Sequence, residues 1–109
     1  MNANIEKMNG FTLVKLEEES IDSGNVKDFK QVFQPVVDDG GKVIFDMSSI
    51  DFVDSSGLGS ILSVMRQLTS KGGDLRICGM RKPVRALFEL VRFHRILDVY
   101  NSREEAMNG

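Results

Sequence analysis

Lys42–Ser48, "KVIFDMS", is the segment that most constrains the fold. It is a short β-rich run that follows Gly40-Gly41, and helical patterns lie on both sides of it. Upstream, Val26, Phe29, Val32, Phe33, Val36 and Val37 recur at helical spacing. Downstream, Leu58, Ile61, Leu62, Met65 and Leu68 fall on one helical face. A short apolar run set between two amphipathic helices reads as a buried central strand.

The same alternation extends along the chain. "FTLVKLE" (Phe11–Glu17) is apolar on both faces, as in a strand covered on both sides. Ile5–Met8 precedes it as an edge strand and turns at Asn9-Gly10, a hairpin dipeptide. "DLRICGM" (Asp74–Met80) is a further strand, and Ile96–Tyr100 a last short one. Pro83 opens a third helix, with Val84, Leu87, Phe88 and Val91 along one face. Ser102 and Glu105 form a capping box for a terminal helical turn. Pro35 lies inside the first helical pattern and is expected to kink or split it. The predicted order is β-β-α-β-α-β-α-β-α. It implies an α/β domain whose four- to five-stranded sheet is mostly parallel, with an antiparallel edge and about four helices.

With 109 residues, 41% of them hydrophobic, the chain suits one domain over residues 1–109. It leaves no room for a second domain or a large dinucleotide enzyme. A net charge of −2 gives no overall field for nucleic acid. One cysteine and one histidine make neither an internal disulfide nor a zinc set. No apolar run approaches the ~20 residues of a membrane span, so no membrane partner is expected and the cytoplasm is the expected location.

Asp51–Leu62, "DFVDSSGLGSIL", holds the chemistry. Four readings compete for it. A helix N-cap explains Asp54 or a serine, but not Gly57 and Gly59 in the first turns. Each glycine costs about 1 kcal/mol against alanine, so a close backbone approach must offset the cost. A dinucleotide loop needs a third glycine and a place after the first strand, and Asp74 satisfies its acidic position only loosely. A nucleophilic serine needs a base, and His94, the only histidine, sits in a connector with nothing to place it near Ser55. The fourth reading is a phosphoacceptor on a protein-binding surface. With the apolar residues inward, Gly59, Ser60, Ser63 and Gln67 project outward as a small, nearly uncharged face. A phosphate on Ser55 would add about −1.5 to −2 charge beside Asp54, at a helix N-terminus that tolerates it.

"VDSSGLGSIL" resembles the signature of STAS domains, and specifically of bacterial anti-sigma-factor antagonists. "SIDSGNVKDF" and the whole of "GGDLRICGMRKPVRALFELVRFHRILDVYNSREEAM" continue the likeness, which spans nearly the entire chain. The resemblance implies a non-enzyme that works by partner switching, with no catalytic residues, cofactor or metal of its own. The unphosphorylated antagonist binds an anti-sigma factor that is also a serine protein kinase, and so frees a sigma factor. The kinase phosphorylates one serine and the complex separates; a serine phosphatase resets it. The family motif places the phosphoacceptor directly after the aspartate, at Ser55, with Ser56 its easily confused neighbour. It also places Asp22 at the partner surface, with Ser23 beside it. The expected partner surface is therefore Asp22, Ser23, Asp54, Ser55, Ser56, Gly57, Gly59, Ser60 and Ser63. The alternative is a STAS scaffold or sensor module regulating a partner unrelated to sigma factors. In one respect the chain departs from the family, which often carries Gly-Glu shortly before the Asp22 position; Glu19 and Ser20 stand there instead.

Other features have simpler explanations. Arg81, Lys82, Arg85, Arg92 and Arg95 make the C-terminal third basic, as in a solvated helix face with Arg85 and Glu89 paired at i, i+4. Glu17–Glu19 read as a charged strand end. Met47, Met65 and Met80 read as core fillers, and Cys78 as a buried thiol.

Overall fold

A computed structural model describes residues 1–109. Its elements are β1 (Ala3–Met8), β2 (Phe11–Leu16), β3 (Ser20–Ile21), α1 (Val26–Asp39), β4 (Lys42–Asp46), β5 (Phe52–Val53), α2 (Ser55–Ser70), β6 (Asp74–Cys78), α3 (Lys82–Leu90), a 3-10 turn (Phe93–Arg95), β7 (Asp98–Tyr100) and α4 (Arg103–Asn108). The main sheet has the order β1-β2-β4-β6-β7, with β4 at its centre as the KVIFD run predicts. Only β1 is antiparallel. It joins β2 through Asn9 and Gly10, whose φ angles of 54° and 83° are the pair that a tight hairpin turn requires.

The two faces of the sheet differ. Val14, Leu16, Val43, Phe45, Leu75 and Ile77 face α1, α2 and α3 in one continuous core. Phe29, Phe33 and Phe45 pack there as an aromatic trio, with ring centroids 4.8, 5.9 and 5.1 Å apart. Burying each side chain contributes about 1.5–3 kcal/mol. The other face, with Phe11, Leu13, Ile44 and Cys78, is covered by the short α4. Arg103 ties α4 to the sheet by donating to Asp46 at 2.9 Å and Glu6 at 3.2 Å. Ser102 caps α4 by accepting the Glu105 amide at 3.2 Å, but the Glu105 carboxylate accepts the Asn101 amide at 3.1 Å and not the Ser102 amide of a full capping box. No helix is long and apolar enough to cross a membrane.

Two expectations are corrected, and one pairing is additional. α1 runs unbroken through Pro35. The proline ring is exposed, so water can reach the carbonyl it leaves free, and the buried Phe29, Phe33, Val36 and Val37 hold the helix together. Arg85 does not pair with Glu89; it donates to Asn101 at 2.9 Å across to the C-terminal segment. The two-residue strands β3 and β5, which pair as a small parallel sheet of their own, were not anticipated.

Candidate functional site

The small sheet builds the site. Ser20 pairs with Phe52 and Ile21 with Val53, so the entrance to α1 and the entrance to α2 lie side by side. The Glu19 carbonyl accepts the amides of Asp51 and Phe52 at 2.7 and 3.3 Å, and the Ile21 carbonyl accepts the Asp54 amide at 3.2 Å. Asp54 is extended and caps α2: its Oδ1 accepts the Gly57 amide at 2.9 Å. Its Oδ2 accepts the Ser23 amide, also at 2.9 Å. One carboxylate thus positions both loops.

The Asp22 loop is closed by its own polar groups. Ser20 Oγ donates to Asp22 Oδ2 at 2.6 Å and the Gly24 amide donates to Oδ1 at 2.8 Å. Asn25 accepts the Asp22 amide and donates to the Ser20 carbonyl. The Ser20 hydroxyl, followed by the Gly24 amide, holds the Asp22 carboxyl below the usual range. Ser20, where the family resemblance fails, is therefore the residue that orients Asp22.

Ser55 and Ser56 begin α2 and are exposed. Their amides have no protein partner, as is usual in a first helical turn. Gly57 is buried, and a Cβ there would stand 2.4 Å from the Ile21 carbonyl oxygen and 2.7 Å from Val53 Cγ1. The close backbone approach inferred for this glycine is thus made by β3 of the same chain. A Cβ on Gly59 would meet nothing within 4 Å. Ser60 does not project outward as the helical wheel suggested: it is buried and its Oγ donates to the Ser56 carbonyl at 3.0 Å. Val64 takes a core position, whereas Leu62 and Met65 are half-buried. The open face is Gly59, the half-buried Ser63 and Gln67, whose amide donates to Ser63 Oγ.

Ser55 borders two concavities. On the α3 side lies an apolar hollow of about 480 Å³, walled by Phe52, Leu58, Val84, Leu87 and Val91 with Asp51 and Asp54 at its edge. On the α1 side lies a polar hollow of about 320 Å³ that includes Lys30, Ser56, Gly59 and Ser63. The apolar hollow went unforeseen, because Phe52 reads as part of an apolar run and is in fact 56% exposed. His94 lines neither hollow. Asp51 is engaged by Arg81 at 2.7 Å and Asp54 by its two amides.

The family model that matches the chain is the STAS domain, over residues 2–106. BtrV of Bordetella bronchiseptica, assigned as an anti-sigma factor antagonist, is 32% identical over 97% of this chain and 91% of its own. An anti-sigma factor antagonist from Mycobacterium paratuberculosis superposes with a TM-score of 0.88 at 19% identity, covering 98% of this chain and 91% of that one. The anti-sigma factor antagonist SpoIIAA in its unphosphorylated form superposes with a TM-score of 0.77 at 21% identity, covering 98% and 94%. Bacillus SpoIIAA in its phosphorylated form gives a TM-score of 0.70 at 20% identity, covering 98% and 97%.

Proposed function

The chain belongs to the STAS domain family, and we propose that within it this protein is an anti-sigma-factor antagonist, switched off by phosphorylation of Ser55. In its unphosphorylated form it binds an anti-sigma factor that is also a serine protein kinase, and so frees a sigma factor. A serine phosphatase restores it. The protein is a substrate in this cycle and catalyses none of its steps.

The observation that carries this proposal is the placement of Ser55. It is the first residue of α2, exposed, beside the fixed Asp22 loop and at the meeting of two hollows. A partner seated across both hollows covers Ser55. A phosphate there adds about two negative charges and three acceptor oxygens beneath that partner, next to Asp54. Desolvating such a group without a cation costs several kcal/mol, enough to separate a complex of ordinary affinity. The names of the relatives support the same role, as does the existence of SpoIIAA in a phosphorylated form. Asp22, Ser23, Asp54, Ser56, Gly59 and Ser63 surround Ser55 as the proposed contact surface; Gly57 and Ser60 contribute by setting the backbone beneath it.

The test is phosphorylation by the cognate anti-sigma kinase with ATP, followed by mass-spectrometric mapping. Phosphate is expected on Ser55 and absent from Ser55→Ala. Label that persists in that variant refutes the assignment and points to Ser56. Ser55→Asp is expected to weaken the complex at least in the direction of dissociation; unchanged affinity argues against a charge-based switch. A second role, as a STAS scaffold or sensor module, draws on the apolar hollow beside Ser55. Recovery of a stable partner that lacks kinase activity favours it.

A further inference from the structure

Residues 81–96 run from the start of α3 through the 3-10 turn. They hold five cations (Arg81, Lys82, Arg85, Arg92 and Arg95) and one carboxylate (Glu89), a local charge of +4. The rest of the chain holds nine cations and fifteen carboxylates, a charge of −6. Arg81 is engaged by the Ser48 carbonyl and Asp51, and Arg85 by Asn101. Lys82, Arg92 and Arg95 are exposed and take part in no ion pair.

Apolar side chains stand among these free cations. Leu90 is 79% exposed, Val91 40% and Ile96 54%. They lie on a segment folded by successive tight turns: Arg92 donates its amide to the Glu89 carbonyl, Arg95 to Arg92, and Ile96 to Phe93. One segment of seven residues thus exposes three aliphatic side chains beside two unpaired arginines. Arg92 is also held in the left-handed region, with φ 63° and ψ 27°. Glycine adopts that conformation freely, and a side chain does so only at a steric cost. The left-handed residue ends α3, at the position where glycine is usual, and the arginine placed there stays exposed without an internal partner.

We propose that the knob formed by the end of α3 and the 3-10 turn is a docking surface for an acidic amphipathic helix of a partner protein. The aliphatic side of that helix covers Leu90, Val91 and Ile96, and its carboxylates meet Arg92 and Arg95. Val91 is also a wall of the apolar hollow, so the contact can extend into a recess that accepts a side chain. Nucleic acid would use the cations but leave the aliphatic residues idle. An anionic bilayer would be repelled by the −6 remainder of the molecule and offers no side chain to fill a recess. The proposal stands whether or not Ser55 accepts phosphate.

The test is an amide-shift titration of the ¹⁵N-labelled full chain with a synthetic helical peptide that carries leucine along one face and glutamate elsewhere. Shifts are expected at Leu87–Ile96 and to vanish when lysine replaces the glutamates. Arg92→Glu with Arg95→Glu is expected to weaken binding about tenfold or more, and Leu90→Ser with Ile96→Ser to weaken it as well. Arg92→Gly relieves the backbone, so its melting temperature is expected to rise while affinity falls. The proposal is overturned if shifts are absent or lie elsewhere, or if the charge-reversed variant binds equally well. It is also overturned if vesicles of phosphatidylglycerol, or duplex DNA, displace the peptide and bind this knob more tightly.

Discussion

Oδ2 of Asp54 accepts the amide hydrogen of Ser23 at 2.9 Å, joining positions 31 residues apart. The other oxygen caps α2 through Gly57. Asp54→Ala removes both contacts and is expected to cost about 1–2 kcal/mol in urea denaturation. Asp54→Asn keeps one acceptor for the cap and is expected to cost less. Equal losses would mean that the Gly57 cap contributes nothing and that the whole effect comes from the Ser23 contact.

Gly57 and Gly59 are expected to respond to alanine in opposite directions. Gly57→Ala drives a methyl group into the Ile21 carbonyl, 2.4 Å away, and is expected to destabilise by about 1–3 kcal/mol or more. Gly59→Ala meets open space and is expected to stabilise by about 1 kcal/mol through helix propensity. If the open face docks a partner, the same Gly59→Ala variant binds it more weakly. Thermal melts and a binding titration read the two effects separately.

Ser20→Ala removes the principal group that depresses the Asp22 carboxyl. A ¹³C carboxyl titration by NMR is expected to show the Asp22 pKa rising toward the ordinary value of about 3.9. No movement would show that the Gly24 and Asn25 contacts suffice. A stable fold with weakened partner binding would assign Ser20 to orienting Asp22.

Asp46 sets an acid limit on stability. Burial pushes its carboxyl up, but the Ser48 amide and hydroxyl and the Arg103 guanidinium outweigh that and hold it below the usual range. Because the folded value is depressed, the stabilisation is present above the ordinary carboxyl range and is lost as pH falls through the folded value. Asp46→Asn is expected to cost about 1–3 kcal/mol near neutrality and to flatten the loss of stability below about pH 4. Parallel acid limbs in the two proteins would exclude Asp46 as its source.

Burial and the neighbouring Asp46 charge push the Cys78 thiol up to about 12. At pH 8 the native protein is expected to resist aromatic disulfide reagents and to react rapidly once denatured. Fast labelling of the native form would mean that α4 opens, since α4 covers this face of the sheet.

The fold was legible where a segment is long enough to repeat. α1, α2 and α3 each carry a full apolar stripe, and the Asn9-Gly10 pair specifies the hairpin. β3 and β5 were not legible, because two residues have no period and their partner lies about thirty positions away. Ser55 and Asp22 could be named from motif alone. Their juxtaposition could not, since it depends on Asp54 bonding Ser23 and on Gly57 admitting the Ile21 carbonyl. Ser60 was placed outward because a small polar residue satisfied by the preceding turn looks the same in sequence as one facing water. The exposure of Val91 and Ile96 was not legible, because the apolar stripe of α3 and the run into β7 do not show in sequence where helix and strand end.

The two-residue sheet of β3 and β5 also decides what the kinase proposed for Ser55 would be able to see. The serine and the aspartate loop are neighbours only after strands from the two ends of the first βαβ unit have met. A linear peptide copied from residues 50–65 lacks that geometry, and so does a nascent chain still emerging from the ribosome. An enzyme that requires both loops would therefore act on finished molecules and pass over damaged ones. If Ser55 is the phosphoacceptor as proposed, misfolded copies would neither consume ATP nor be counted in the signal, and the cycle would be a census of intact protein.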